Sequence, residues 1–480
     1  MIDLSALTIA KAAAALRAKE FSSRELVEAH LSLAHEKNPS LNAYLELFEE
    51  SALAEADEAD KRITAGEEGS LLGIPIGVKD NILIKDKISS GGSKILATHR
   101  AVYDATVISR LREQGAVFLG RTNLDEFGMG SSTENSAYGP TKNPHDLTRV
   151  PGGSSGGSTA ALAAHIALGA LGTDTGGSCR QPAALCGVVG MKPTYGAVSR
   201  YGVMPLGASL NQVGEMAKTV ADVETLFHAV RSHDKMDNIS CDYEARRFKA
   251  TPTQAKRVGV PRKFLEKGLP SDVVANFEAS LARLRERGYE VVDIELPFID
   301  YALAVYYVLL PAEISTDLAR YDGMRYGVYL PGANLLKDYM RSRGEGFGKE
   351  SRRRIMLGTY VLSHGYYDAY YNKARAIRQA IVSDFKRVFS GPEAVGAIAT
   401  PTTAAPAFKI GEKVDDPLAM YLEDIFTVTA NIVGCPAISV PSGTVDREGV
   451  RLPLGFQLMA PHFGEELMFA IAKDAEGNTV

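Results

Sequence analysis

The stretch that most constrains this chain runs from Gly152 to Cys186. Gly152-Gly-Ser-Ser-Gly-Gly-Ser158 is followed by an alanine-rich segment and then by Asp174-Thr-Gly-Gly-Ser-Cys-Arg-Gln-Pro182. The apolar composition of Ser158 to His165 predicts a helix, and Ile166 to Thr173 predicts a returning strand. Ser154 and Ser178 then each stand where a loop opens a helix. Gly176 and Gly177 have no Cβ, so the backbone there turns sharply and approaches a ligand closely. A helix beginning just after Ser178 aims free N–H groups and the positive end of its dipole at that serine. That arrangement stabilises an oxyanion on an attacked carbonyl. Two other readings compete. Gly/Ser runs are often flexible linkers, but a solvated linker would leave the flanking apolar segments without a core. Gly152-Gly-Ser154-Ser-Gly156 also matches the G-x-S-x-G nucleophile elbow, which needs an acid and then a histidine further along. His364 and His462 are present, and neither has a context that marks it.

The rest of the chain sets bounds on that chemistry. Its 480 residues suffice for one large domain or two to three ordinary ones. Charged residues make up 23% of it, and no segment reads as the ~20 consecutive apolar residues of a membrane helix. Met1-Ile-Asp-Leu-Ser-Ala carries an acid and no basic region, so no secretory signal is expected. Cys179, Cys186, Cys241 and Cys435 show no C-x-x-C spacing and predict reduced thiols in the cytoplasm. The histidines include no H-x-x-x-H pair, so no metal site is expected. A net charge of −5 disfavours a broad basic face for nucleic acid, so any RNA is expected to be held mainly by a partner.

In chain order, residues 1–65 read as helices, with a capping box at Ser22-Ser-Arg-Glu25 and an apolar face of Leu26, Val27, Leu31 and Ala34. Gly73-Ile-Pro-Ile-Gly-Val-Lys79 reads as an apolar strand carrying one lysine. Such a lysine is usually a solvated surface charge; if buried, its pKa falls and it becomes a base. An α/β rhythm follows, with a helix over 106–114, a strand over 116–119, and later a strand–helix–strand unit at 257–261, 271–287 and 289–294. Residues 300–390 are tyrosine-rich and helical, and strands return at 395–400, 437–440 and 454–458. The alternation predicts an α/β fold covered on both faces. Ser383-Asp-Phe-Lys386 matches S-x-x-K but falls on a charged amphipathic helix, where both residues are ordinary surface choices.

Taken together, Gly-Val-Lys79-Asp, Gly-Gly-Ser154-Ser-Gly-Gly-Ser and Asp-Thr-Gly-Gly-Ser178-Cys-Arg-Gln-Pro-Ala resemble the amidase signature family. Asp125-Glu-Phe-Gly-Met-Gly-Ser-Ser-Thr-Glu-Asn135, Glu345-Gly-Phe-Gly and Arg353-Arg-Ile-Met-Leu-Gly-Thr-Tyr resemble its glutaminase branch, the A subunits of tRNA-dependent amidotransferases. The likeness spans about residues 5–470. It implies a mixed central β-sheet covered by helices, with 1–65 as N-terminal helices packed on an amidase domain of 66–480 and a helical insertion at about 300–390. It also implies a Ser–cis-Ser–Lys triad in which Ser178 is the nucleophile and Ser154, after a cis peptide, relays its proton to neutral Lys79. The N–H groups of Thr175, Gly176, Gly177 and Ser178 would form the oxyanion hole.

Free glutamine carries a carboxylate and an ammonium, so a selective pocket needs one fixed cation and one fixed anion. Arg354 is the candidate for the carboxylate and Asp424 for the ammonium. One of Tyr306 and Tyr307 would line the pocket, with Gly130 and Ser131. The branch further implies ammonia delivery to a B subunit that uses ATP and magnesium on mischarged tRNA, with a small C subunit between the two. No G-x-x-x-x-G-K-[ST] occurs in this chain, so no cofactor of its own is expected. The product would be Gln-tRNA(Gln) and, as a second option, Asn-tRNA(Asn). Three positions depart from the family pattern. Asn211 and Glu215 replace an acid and a proline, which implies altered support for Arg180, and Cys179 stands where a branched aliphatic residue is usual. A stand-alone amidase of small or aryl amides shares fold and triad, and a catalytically silent scaffold subunit is the alternative of another class.

Overall fold

The computed structural model describes residues 2–266 and 268–476. Its centre is one sheet of eleven strands: β1 (Tyr44–Leu47), β2 (Pro75–Lys79), β3 (Val117–Thr122), β4 (Gly169–Asp174), β5 (Val189–Lys192), β6 (Gln212–Ala217), β7 (Arg257–Val260), β8 (Glu290–Asp293), β9 (Ala397–Pro401), β10 (Ala437–Arg447) and β11 (Val450–Met459). The spatial order is β1-β3-β2-β4-β6-β5-β10-β11-β9-β7-β8. β2 runs parallel to β3 and β4, β7 is parallel to β8 and β9, and the remaining pairs are antiparallel. The sheet is therefore mixed, as expected.

Alternation along the central strands shows why both faces are covered. Ile76 and Val78 of β2, Phe118 of β3, Leu171 of β4 and Ala217 of β6 enter one apolar cluster. Val117, Leu119, Ala170 and Met216, their neighbours in sequence, enter another. Successive side chains of a strand point to opposite faces, so strands buried on both sides read as continuous apolar runs. β2 is such a strand, and its one lysine goes in with it.

The N-terminal segment folds as α1 (Ile9–Ala18), α2 (Ser23–Leu41) and α3 (Glu49–Thr64), and α4 (Thr106–Glu113) later leads into β3. The capping box forms as expected: Ser22 Oγ accepts from Glu25 N–H at 3.1 Å, and Glu25 Oε2 accepts from Ser22 N–H at 2.7 Å. Between α2 and α3 the chain also supplies β1, an antiparallel edge strand on β3, where only helices were expected.

A second departure concerns membrane-length helices. Residues 299–320 form one helical run long and apolar enough, by length and composition, to cross a membrane. Asp300, Glu313 and Asp317 interrupt it and hide its length in the sequence. Val305, Tyr306, Leu309, Leu310, Ile314 and Leu318 on this run are buried in a cluster with Phe347, Ile381 and Val428. Ser383 and Lys386 lie exposed on the helix Lys373–Val388, as expected.

Glu215 lies within β6, opposite Leu171 of β4, and is fully buried. Among the described residues, neither carboxylate oxygen has a hydrogen-bond partner in another residue. Burial raises its pKa well above the usual carboxylate range, with Lys192 offsetting only part of that. An unsatisfied buried polar group costs about 1–3 kcal/mol, so Glu215→Leu is expected to stabilise the fold by about that amount in urea titrations. The folded protein holds a proton here that the unfolded chain releases above pH ~4.3. Wild-type stability from this group is thus present at low pH and lost as pH climbs toward the raised folded value, so the leucine's advantage grows across that window.

Candidate active site

β2 and β4 are parallel neighbours, with Val78 paired to Leu171. Their carboxyl ends therefore lie together, and the loop leaving β4 passes over the end of β2. Ligands of open α/β sheets bind at such carboxyl ends. Lys79, the last residue of β2, is fully buried there. Its Nζ donates to Ser154 Oγ at 2.8 Å, Ser155 Oγ at 2.8 Å and Thr173 Oγ1 at 3.0 Å. Burial pushes its pKa down to about 8, and Asp125 and Asp174 limit the fall. An amine with that pKa spends much of its time neutral near pH 8, with a lone pair among three hydroxyls.

The Gly/Ser run folds as expected. α5 (Gly156–Ala163) follows Ser154, and α6 (Arg180–Cys186) follows Ser178. The Gly153–Ser154 peptide is cis. Ser155 N–H donates to Ser178 O at 3.0 Å, which ties the two serine loops together. Ser154 and Lys79 are joined directly. Among the described residues the Ser178 hydroxyl has no protein hydrogen-bond partner and is 8% exposed, so it is the reachable member of the cluster. Apo catalytic contacts are often loose before substrate arrives. The base bonded to Ser154 is Lys79 and not a histidine, which sets aside the nucleophile-elbow reading.

The loop 175–179 is shaped from beneath by Asp174. Its Oδ1 accepts the Gly177 N–H at 2.9 Å and its Oδ2 the Cys179 N–H at 3.2 Å. Gly177 has φ +128°, and a Cβ there would meet Thr427 Oγ1 at 2.2 Å; a Cβ on Gly176 would meet the Tyr306 hydroxyl at 2.4 Å. Both glycines are thus demanded by close approach. Of the four N–H groups expected at an oxyanion hole, that of Gly177 is donated to Asp174, and those of Thr175, Gly176 and Ser178 have no acceptor among the described residues.

Arg180 anchors this loop from α6. Its guanidinium donates to both Asp174 oxygens at 3.0 and 2.9 Å, to Thr427 O at 3.0 Å, to Gln457 Oε1 at 2.6 Å and to Asn431 Oδ1 at 2.7 Å. Every N–H is used, which is what a fully buried arginine requires. Burial pushes the Asp174 carboxyl up, and the Arg180 guanidinium with Asn431 overrides this and holds it at about 2. The side chains that hold Arg180 do not include Asn211. Asn211 Oδ1 instead accepts from Thr175 Oγ1 at 3.0 Å. Cys179 is buried and burial pushes its thiol upward, so it is an unreactive neighbour.

The remaining expected residues gather beside this loop. Ser131 Oγ donates to the Asp424 carboxylate at 2.8 and 2.9 Å, and Tyr307 OH donates to Asp424 Oδ2 at 2.9 Å. Burial raises the Asp424 carboxyl to about 7. Arg354 is buried, donates from Nε to Glu350 Oε1 at 2.7 Å, and lies 5.4 Å from the ring centroids of Tyr307 and Tyr421. Those two rings stack at 3.9 Å. Tyr306 packs edge-on to Tyr307 at 4.9 Å, its hydroxyl over Gly176. The two tyrosines are thus not alternatives: Tyr306 faces the serine loop and Tyr307 faces Asp424. A cleft lined in part by Gly130, Ser132, Glu134, Arg353, Arg354 and Tyr421 opens beside them, and Ser178 is not in its wall.

Several neighbours escaped the sequence reading. Ser155 was visible within the same run as Ser154, and Glu350 stands four residues before Arg354 on one helix face. Thr173 and Asn81, whose Nδ2 donates to Thr173 Oγ1 at 2.9 Å, carried no signal.

Comparison with known proteins agrees with this architecture. The amidase family pattern matches residues 25–469. The A subunit of a glutamyl-tRNA(Gln) amidotransferase from Coxiella burnetii is 49% identical over 468 residues, covering 97% of this chain and 95% of that protein. The crystal structure of the corresponding A subunit from Thermotoga maritima, also of a glutamyl-tRNA(Gln) amidotransferase, superposes with a TM-score of 0.79 at 38% identity, over 100% of this chain and 96% of the other. A peptide amidase from Stenotrophomonas maltophilia gives 0.81 at 30% identity, over 99% and 98%. The chain belongs to the amidase signature family.

Proposed function

We propose that this chain hydrolyses glutamine to glutamate and ammonia through Ser178, Ser154 and Lys79, as the amidase component of a tRNA-dependent amidotransferase. The observation that carries the reading is the pairing of one buried anion, Asp424, with one buried cation, Arg354, around Tyr307, next to the Tyr306 that covers the serine loop. Free glutamine has the complementary ammonium and carboxylate. A bound ammonium would keep Asp424 ionised despite its burial. The names of the relatives support the amidotransferase context. In that context B and C subunits are the partners, ATP and magnesium act on the B subunit, and the ammonia meets Glu-tRNA(Gln), with Asp-tRNA(Asn) as a second acceptor.

The chemistry follows from the contacts. Ser178 Oγ attacks the carboxamide carbon, its proton passes to Ser154 Oγ, and the Ser154 proton passes to the lone pair of Lys79. Charge develops on the former carbonyl oxygen, which the unengaged N–H groups of Gly176 and Ser178, with that of Thr175, would receive. Collapse breaks the C–N bond, the Lys79 proton returns through Ser154 to the nitrogen, and ammonia leaves. Water then attacks the γ-glutamyl ester with the same relay acting as base, and glutamate is released.

The fold does not separate this reading from a stand-alone amidase, since a peptide amidase superposes as well. The charged pair is what supports the glutaminase. Arg354→Ala is expected to lower glutamine kcat/KM by about 30-fold to several thousand-fold, the range for truncating one member of a buried charged contact, ~2–5 kcal/mol. Hydrolysis of butyramide, which has the same amide and no charges, should stay within about threefold. Equal loss on both substrates would remove Arg354 from the pocket.

A further inference from the structure

The geometry points to Gln181 as a positioning residue that couples the amino-end pocket to the serine relay. Gln181 is fully buried in α6, three residues after Ser178. Its two amide atoms reach different parts of the site. Nε2 donates to the backbone oxygen of Ser131 at 3.0 Å, and Oε1 accepts the Gly153 N–H at 2.9 Å. Ser131 is the residue whose hydroxyl holds both oxygens of Asp424. Gly153 begins the peptide that presents Ser154 to Lys79.

Gln181 is the link that starts at Ser131 itself, while the rest of that loop is held to the serine run separately. The loop 131–135 is fastened to Asp125 through the N–H groups of Ser132, Thr133 and Asn135, at 3.4, 2.8 and 3.0 Å. Thr133 Oγ1 fastens it again to Gly152 O at 2.7 Å. A Cβ on Gly152 would come within 2.5 Å of Gln181 Oε1, so glycine there leaves the amide the space it occupies. A substrate ammonium drawn to Asp424 pulls on Ser131, and the Gln181 amide passes that displacement to Gly153 and Ser154. A substrate without an ammonium leaves the bridge idle. The reaction centre is then best aligned when the amino end is occupied, and positional errors of about 1 Å cost up to about 100-fold in rate.

This rests on the glutaminase reading above, and the test separates the two. Steady-state hydrolysis of glutamine and of butyramide is measured for the full chain as wild type, Q181E and Q181M. Ionised glutamate keeps an acceptor for Gly153 and loses the donor to Ser131, so Q181E is assayed across pH, since a protonated acid would donate to Ser131 again; methionine keeps the volume and loses both. Q181E is expected to lower kcat for glutamine by about 10- to 100-fold with KM within about threefold, and to lower butyramide turnover by clearly less than that. Q181M is expected to lower both substrates, with folding checked by thermal denaturation. An equal fall on both substrates in Q181E, or a change confined to KM, overturns the coupling. A wild type that hydrolyses butyramide and not glutamine overturns the glutaminase reading itself, whatever Gln181 does.

Discussion

Lys79→Met is expected to lower amide hydrolysis by at least about 10⁴-fold, because removing one member of a unit that acts together costs nearly as much as removing all of it. Methionine matches the length of the lysine stem and fills the same buried space at the end of β2, so the change isolates the amine. That amine alone is bonded to Ser154 as a base among the described residues. Its other partners, Ser155 and Thr173, are hydroxyls that cannot take a proton near neutral pH. The pH profile gives a second, independent reading. Only the neutral amine accepts a proton, and its pKa is pushed down to about 8 by burial. Wild-type kcat/KM for an uncharged amide should therefore rise about tenfold per pH unit below 8 and level above it. The residual activity of the methionine variant should lack that limb. Butyramide is the substrate of choice, because the titration of Asp424 near 7 would distort the profile for glutamine.

Ser178→Ala is expected to remove turnover to a similar depth, about 10⁴- to 10⁶-fold in kcat, while leaving the fold intact. The Ser178 hydroxyl has no protein hydrogen-bond partner among the described residues, so its loss strands nothing, and stability should change by less than about 0.5 kcal/mol. Ser154→Ala makes a useful contrast. It deletes an acceptor of the buried Lys79 amine, so it should cost stability as well as rate, by about 1–3 kcal/mol. Rate and melting temperature measured together on both variants distinguish a reacting hydroxyl from a relaying one.

Much of the catalytic cluster was legible because short motifs carried it. The usual solvated reading of a lone lysine fails for Lys79, which a strand buried on both faces carries into the core, whereas the placement of the two serines followed from glycine runs leading into helices. Other features were hidden for physical reasons. β5 and β6 carry no strand signal of their own, because Lys192 and Pro193 close the first, Asn211 and Gln212 open the second, and Glu215 breaks the apolar pattern of β6. The hairpin of β10 and β11 is longer than its apolar centre, since Pro441, Gly443 and Pro453 fall within it, the first two beside a register shift. β1 is only four residues long and lies between two helices. The hydrogen bonds around Arg180 come from Asp174, Thr427, Asn431 and Gln457, the last three more than two hundred residues away in sequence, where no local pattern can announce them. The same holds for Asp424 meeting Ser131.

Acid-quench mass spectrometry of the protein during turnover of glutamine shows which side chain carries the acyl group. A γ-glutamyl ester is expected on the peptide that contains Ser178, present in the wild type, enriched when the quench falls early, and absent from Ser178→Ala. A γ-glutamyl adduct on Ser154 or Cys179 instead, or glutamine turnover that persists in Ser178→Ala, would contradict the assignment of Ser178 as the nucleophile.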